Sequence, residues 1–488
     1  MSAAQSLDAP VPAPVQAAPA PAAPAKLPAG MVAMPINEIL TVAREYVDAA
    51  RYDAAERLLN HVLASLPRHG ETLHLKGYIA FKRNKGDEAA ALMEQALAAG
   101  AGQPRQLCNL GEVYRLIGRL DEGLAMVRRA QALAPTDAVA HFNESMLRYE
   151  RQETDECIRA ARRAIQLKPT MPEAHMRLGQ TLLLTGQFAE GWEEYEWRYQ
   201  ISGAQPLMPK TDKPQWNGAP LRDDQTLLLV ADQGYGDVIM FARYLPWAFS
   251  RAKNVAVATS AELRDLLERH WPGPTYFSRW DQAPAFAAYC PFSGLPRLHY
   301  TRLDTIVQPG PYLRTPADKV AQWREKLAAL LPAGKKRIAI AWAGRPTHNN
   351  DRNRSITLEM LAPFGQVPDA VFVAVQKGPA AKQAEAWRGP APLVALDPQI
   401  ETFDDTAAIL EHVDLLVCVD TSLGHLAGAA GRPAWIMLPF APDWRWLMQR
   451  GDSPWYPSLR LLRQEAPKAW SPLIARVAAE LAAFTQRA

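Results

Sequence analysis

Three stretches in the second half of the chain concentrate residues able to do chemistry, and each follows a short apolar run. The first, ADQGYGDVIMFARYLP (231–246), sets Gly234 and Gly236 ahead of Asp237. Two glycines allow a tight turn with close backbone approach. An aspartate at the start of the following helix is either a plain N-cap or a carboxylate at the mouth of a cleft, placed to take a proton from an acceptor hydroxyl. The turn is not the dinucleotide fingerprint, because no third glycine follows at the required offset and no acidic residue ends a second strand after it. The second stretch, WAGRPTHNNDRNRSI (342–356), gathers Arg345, His348, Arg352 and Arg354 among asparagines. Guanidinium groups at a strand's carboxyl end suit a diphosphate; the bland alternative is a solvated basic loop. The third, VCVDTSLGHLAGAAGRPAWIMLPF (417–440), is the most specific. A buried strand ends at Asp420, and Thr421-Ser422 open a helix closed by Gly431 and Pro433. The free N–H groups and dipole of that helix start form an anion site, to which the Thr421 and Ser422 hydroxyls add donors. His425, one turn on, either points toward the same ligand or is a satisfied core histidine.

The elements that must position these loops are short continuous apolar runs: TLLLVA (226–231), VAVA (255–258), RIAIAWA (337–343), VFVAV (371–375), LLVCV (415–419) and WIML (435–438). Such runs suit parallel strands buried on both faces. Helical stretches such as AELRDLLERH (261–270) and KVAQWREKLAALL (319–331) lie between them. Alternation of this kind predicts α/β structure, divided near LLPAGKK (330–336) into two Rossmann-like, doubly wound units at 206–332 and 333–488. Ligands of such sheets sit beyond the carboxyl ends of the strands, which is where the three loops fall.

The first half is built differently. All 14 tryptophans lie at or after Trp192. Before it, small residues recur every 34 positions: Gly77, Gly111, Ser145 and Gly179 in one phase, and Ala55, Ala89, Gly123, Cys157 and Gly191 in another. Pro135 and Pro169 share the same step. Antiparallel helices touch where side chains are small, and proline ends the second helix of each pair. The period and phases resemble the tetratricopeptide repeat, in five units over 36–205, all-α, with a concave surface able to hold a protein partner. The repeat's favoured tryptophan is absent and Glu144-Ser145 replaces the usual Leu-Gly of the fourth unit. A spacer or dimerisation role is the alternative. Trp192, Tyr195 and Tyr199 share one helical face in GQFAEGWEEYEWRY (186–199), which suggests that the array docks on the next domain or ends in its own aromatic plug.

Composition narrows the classes. A length of 488 residues suggests about three domains. The net charge of +3 gives no global reason to expect nucleic acid or an anionic membrane as partner. Four cysteines without ligand spacing argue against a disulfide framework or a structural zinc and fit a reducing compartment. Residues 1–35 open with a stretch in which Ala and Pro make up 18 of the first 30, and they read as a disordered tail rather than a signal peptide. No run reaches about 18 uninterrupted apolar residues, so no membrane span is expected and the cytoplasm is the expected location.

Taken together, G-x-G-D after the first strand, NDRNRSI and DTSLGHLAGAAGRP resemble the heptosyltransferase-related glycosyltransferases of GT-B fold. The resemblance covers roughly 225–465 and is strongest at 415–460, where PFAPDWRWL and SPWYPSLRLLRQ continue it. It implies a nucleotide-sugar donor on the second unit, an acceptor on the first, and neither metal nor cofactor. By that resemblance Asp237 is the catalytic base in the acceptor loop of Gly234 and Gly236. Arg354 falls at a basic donor-phosphate position, where the family has lysine, with Arg352 beside it. Asp420, Thr421, Ser422, Gly424 and His425 form the donor turn, with Ser422 in place of the family's glycine, and Gln376 at the end of VFVAVQ faces the nucleotide. Repeats followed by such a half resemble bacterial tetratricopeptide-linked glycosyltransferases, some of which modify flagellin while the repeats grip it. The implied activity is metal-independent, inverting transfer to Ser/Thr hydroxyls of a protein. Transfer to a lipid-linked saccharide and a non-catalytic scaffold are the two rival readings.

Overall fold

The computed structural model of the chain describes residues 34–201, 208–307, 310–348 and 350–486. The expected tail, save its last two residues, and the expected boundary at 205/206 lie outside the described residues. The chain divides into two units, one ending at Ala101 and the other spanning Gly102–Ala488.

The first unit holds two helix pairs, α1 (Ile36–Asp48) with α2 (Tyr52–Ser65) and α3 (Gly70–Lys82) with α4 (Gly86–Ala98). Its core is aliphatic, built from Leu40, Ala43, Val47, Ala55, Leu59, Leu75 and Ile79. Gly77 has room for no more than hydrogen: a Cβ there would stand 2.7 Å from Met93 Cγ and 3.2 Å from the Ala89 carbonyl.

The second unit opens with three further pairs: α5 (Pro104–Ile117) and α6 (Leu120–Leu133), α7 (Ala138–Glu150) and α8 (Thr154–Leu167), α9 (Pro172–Leu184) and α10 (Phe188–Tyr195). First helices begin at 36, 70, 104, 138 and 172, and second helices at 52, 86, 120, 154 and 188, so the 34-residue period is the period of the helices. The two small phases are the contact points within pairs. A Cβ on Gly179 would lie 2.6 Å from the Tyr195 amide nitrogen, and one on Gly191 2.9 Å from Leu183. Ser145 fits its slot by turning its hydroxyl back to the Phe142 carbonyl, at 2.6 Å. Gly179→Val gains some helix propensity but drives Cβ into backbone that cannot step aside. We expect a loss of about 1–3 kcal/mol, read from urea midpoints. An unchanged midpoint would contradict this packing.

The aromatic end of the array docks. After Tyr195 the chain tightens into a 3-10 turn, Glu196–Gln200, so Tyr199 leaves the α-helical face on which it was expected. Trp192 packs edge-on against Trp444 at 5.3 Å and donates to the Thr301 carbonyl at 3.0 Å. Phe188 stacks on Trp455 at 6.0 Å. Trp197 points elsewhere and stacks on His175 at 3.9 Å.

Two parallel sheets follow. The first contains β1 (Thr226–Val230), β2 (Asn254–Ala258), β3 (Thr275–Phe277) and β4 (Ala288–Pro291) in the order β3-β2-β1-β4. The second contains β5 (Lys336–Ala341), β6 (Ala370–Ala374), β7 (Leu393–Ala395), β8 (Leu415–Val419), β9 (Ala434–Leu438) and β10 (Leu459–Arg463), ordered β10-β9-β8-β5-β6-β7. All pairings within the named strands are parallel. The expected boundary at 332/333 needs correction. Helix Ala317–Leu330 precedes it yet packs on the second sheet's Phe403–Glu411 helix, where Lys319 Nζ and Trp323 Nε1 reach Asp405 Oδ1 at 2.8 and 3.0 Å. The divide therefore lies before Ala317.

Candidate functional site

In each sheet the strand order reverses once, between β1 and β4 in the first and between β5 and β8 in the second. Such reversals open a crevice at the strands' carboxyl ends. The loops after β1, β5 and β8 are the three chemistry-bearing stretches.

The glycine turn does not depend on left-handed backbone: Gly234 has φ −65°. Its small size is what matters. A Cβ on Gly236 would lie 2.7 Å from His425 Cδ2 and 3.3 Å from Ser422 Cα, so helix Tyr235–Phe241 lies directly on helix Ser422–Ala429. Asp237 stands in the first turn of its helix, and its Oδ2 accepts from the Gly234 amide at 3.1 Å. Its Oδ1 lies 2.7 Å from Nε of Arg445. It is thus a cap and a charged partner at once. Burial raises the Asp237 carboxyl above its ordinary range, Arg445 opposes that, and Asp443 and Asp232 add to it.

Arg445 was not among the residues expected from sequence. It is buried, with Nη1 2.7 Å from Asp443 Oδ1, Nη2 donating to Gln233 Oε1 at 2.9 Å, and the guanidinium 4.3 Å over the Trp444 ring. Gln233 in turn donates to the Tyr195 hydroxyl at 3.2 Å. On the far side of the turn, Asp232 accepts from Ser293 N at 3.1 Å and from the Tyr199 hydroxyl at 2.9 Å. The last repeat therefore fastens the glycine turn at two points. The available signal was DWR inside PFAPDWRWL, an acid and a base separated by one aromatic.

The basic loop divides its arginines. Gly344 N donates to Ser355 Oγ at 2.9 Å, which donates to Asp351 Oδ1 at 2.7 Å, and Arg354 Nε lies 3.5 Å from that same oxygen. The Arg354 charge also favours ionised Asp420 and disfavours protonation of His348 and His425. Arg352 is engaged elsewhere. Its Nη2 donates to Glu150 Oε1 of α7 at 3.2 Å, a carboxylate it shares with Arg115, so it ties the loop to the repeats.

Gln376 is likewise a correction. Its Oε1 accepts from the Trp342 and Ala343 amides at 3.0 and 2.9 Å, while Nε2 donates to the Ala343 and Lys377 carbonyls at 3.1 and 2.9 Å. Both donors and both acceptor sites are spent clamping the start of the basic loop, and none remains for a nucleotide. Gly424 also turns away from the crevice, since a Cβ there would meet Ile436 Cδ1 of β9 at 2.8 Å.

At the third loop Thr421 is the N-cap residue of the helix Ser422–Ala429, and its buried Oγ1 interacts with the Cys418 thiol. A thiol is a weak partner, so a stronger acceptor brought to the helix start is favoured. Burial, with Asp443 nearby, pushes Asp420 up to about 6 against the pull of Arg354. Asp443 itself is held below its ordinary value: burial works against ionisation, and the Arg445 guanidinium and amide overcome it. His425 is buried with Nδ1 3.1 Å from the Tyr456 hydroxyl and its ring 5.0 Å from Trp446.

Burial first, then Arg445, pushes His425 down to about 3. An unfolded chain takes up that proton near pH 6.5, whereas the folded chain refuses it until about pH 3. At His425 the unfolded state binds more protons throughout this window, so this residue's contribution to stability falls as pH drops from about 6.5 toward 3, while Asp420, raised to about 6, acts in the opposite sense. Between pH 6.5 and 5 the His425 contribution falls by about 2 kcal/mol, and His425→Gln is expected to shift the slope of the urea-derived stability curve by that amount relative to wild type. A variant with the wild-type slope would contradict the buried neutral imidazole.

Thus Asp237, Arg354, Asp420, Thr421 and His425 converge with Arg445 and Asp443, Ser422 opens the helix beside them, and Arg352, Gln376 and Gly424 serve the scaffold. No group of three or more His, Cys, Asp or Glu residues able to hold a metal occurs among the described residues. No helix among them is long and apolar enough to cross a membrane.

The tetratricopeptide repeat family matches residues 40–104 and 74–138. Protein FlbA of Caulobacter vibrioides is 27% identical over 523 aligned residues, covering 91% of this chain and 84% of its own. The crystal structure of MamA aligns with 33% of this chain and 93% of its own at 19% identity, with a TM-score of 0.30. PilW, a widely conserved type IV pilus biogenesis factor, aligns with 35% of this chain and 80% of its own at 22% identity and a TM-score of 0.32. The helix pairs within 40–138 are tetratricopeptide repeats, a module that generally binds proteins, and the pairs that follow to Tyr195 keep the same 34-residue period.

Proposed function

We propose that the chain is a metal-independent glycosyltransferase of GT-B type, acting in the cytoplasm, that moves a sugar from a nucleotide-sugar donor to Ser/Thr hydroxyls of a protein held by the repeats. Flagellin is the acceptor suggested by the resemblance of the repeat-plus-transferase arrangement. The observation that carries the reading is the packing of the glycine turn after β1 on the helix start after β8: a Cβ on Gly236 would lie 3.3 Å from Ser422 Cα, and Asp237 follows Gly236 in the same turn. In this reading Asp237 is the base and the helix start takes the anion, the pairing that displacement at an anomeric carbon requires.

The acceptor oxygen forms its bond to the anomeric carbon while its proton passes to Asp237. The bond from that carbon to the phosphate oxygen breaks, and the electron pair leaves with the nucleotide. In this reading Arg354, the N–H groups of the helix start at 421–423 and the Thr421 hydroxyl stabilise the departing phosphate. Attack from the face opposite the leaving group gives inversion.

Calorimetric titration of the full chain with a panel of uridine, guanosine and cytidine nucleotide sugars tests this reading. One donor is expected to bind, and Arg354→Ala to weaken it. Absence of heat with every member of the panel would contradict the proposal and favour a scaffold.

A further inference from the structure

Arg445 is the side chain on which loops from both sheets converge. One guanidinium spans two carboxylates and an amide: Asp237 at 2.7 Å, Asp443 at 2.7 Å and Gln233 at 2.9 Å. Through Gln233 it connects to Tyr195 of the last repeat helix. A buried ion pair kept for stability needs only one carboxylate, and a second adds desolvation and like-charge repulsion. Asp443 caps its own 3-10 turn, its Oδ1 accepting from the Arg445 amide at 3.0 Å, and as a second carboxylate it also keeps the guanidinium paired if Asp237 loses its charge. When Asp237 takes a proton, Arg445 is left paired to Asp443 rather than orphaned in a buried site. Nε lies 2.7 Å from Oδ1 of Asp237, a close charge contact without hydrogen-bond geometry, while the Gly234 amide donates to Oδ2 and anchors that end of the carboxylate.

We infer that Arg445 is the positioning residue of the transfer reaction, fixing the orientation of Asp237 and keeping it ionised until it receives the acceptor proton. This rests on the transferase reading above. Arg445 itself gains and loses no proton. The charged and titratable groups around Asp237 come from every element packed on it. They are Asp232 on its own turn, Asp443 and Arg445 on the 440–446 loop, His425 on the Ser422 helix, Asp420 and Arg354 beyond it, and Tyr195 through Gln233. Among the charges acting on Asp237, Arg445 lowers its pKa and Asp443 raises it, so removing each should move the base in opposite directions.

The test compares full-length wild type, Arg445→Met, Arg445→Lys and Asp443→Asn. It uses the donor found in the calorimetric panel and follows nucleotide release with the acceptor protein across pH. Arg445→Met is expected to lower kcat by about 100-fold with donor KM near wild type, because the base is misaimed while the donor site is intact. Its acidic limb in kcat should move to higher pH. Asp443→Asn should move the same limb to lower pH, and Arg445→Lys should restore the limb's position but only part of kcat, since a point charge replaces the fork. An Arg445→Met enzyme with wild-type kcat, or with reduced kcat and an unmoved acidic limb, overturns the inference while leaving the transferase reading intact. If Arg445→Met does not fold, Asp443→Asn decides alone, and an unmoved limb overturns the inference. Wild type that releases nucleotide from no donor in the panel overturns the transferase reading, and this inference falls with it.

Discussion

Asp237→Asn should reduce transfer by about 100- to 10,000-fold while the chain still binds its nucleotide sugar, because only the proton acceptor is lost. Asparagine is nearly isosteric and can keep the cap, with its carbonyl oxygen accepting from the Gly234 amide in place of Oδ2. What disappears is the charge opposite Arg445. That guanidinium keeps Asp443 and Gln233, so it is not left alone in a buried site. The stability cost is therefore that of weakening one shared pair, of order 1–3 kcal/mol, and not the larger cost of orphaning a buried charge. Donor binding rests on other groups, the helix start at Thr421–Ser422 and Arg354, which stay in place. The check is paired: donor affinity by calorimetry and turnover by nucleotide release on the same preparation. Full turnover by the asparagine variant would remove Asp237 from the mechanism.

The other large effect concerns the array. A fragment beginning at residue 208, without the repeats, should fail to fold as a cooperative domain. Phe188, Trp192 and Tyr195 belong to the same core cluster as β1 and the Trp444–Trp455 region. Each large aromatic lost from a core costs about 3–5 kcal/mol, so deleting three approaches or exceeds the 5–15 kcal/mol by which ordinary domains are stable. The cut also exposes Trp444 and Trp455 to water, both buried in the intact chain. It strips Tyr199 from Asp232 and Tyr195 from Gln233, so the glycine turn loses two anchors even where the sheet survives. The fragment should bind a hydrophobic dye, aggregate and lack a sharp melt. A monomeric fragment melting within a few degrees of the intact chain would show that the repeats are an appendage.

That dependence explains which parts of the molecule were legible in sequence. The repeats were readable because their contact points are small side chains at fixed phases, and Gly77, Gly111 and Gly179 keep those phases in the folded helices. Six strands, β1, β2, β5, β6, β8 and β9, were readable as unbroken apolar runs. β3 and β7 have only three residues each, β4 ends in Pro291, and β10 interrupts its leucines with two arginines, so none presents such a run. At the site, residues next to a strand's end in sequence were found, because strand ends fix where such loops go. Arg445 reaches Asp237 across 208 positions of chain, and no local pattern encodes that meeting. Gln376 and Arg352 illustrate the converse. Their residue types suit a ligand, but only the fold reveals that backbone amides and Glu150 already occupy them.

Intact-mass measurement of secreted and surface proteins, flagellin included, tests the central claim most directly. Cells lacking this chain would be compared with cells complemented by wild type or by Asp237→Asn. The account predicts that one protein loses a sugar-sized mass increment in the deletion, regains it with wild type and fails to regain it with Asp237→Asn. Identical masses in all three strains would contradict it.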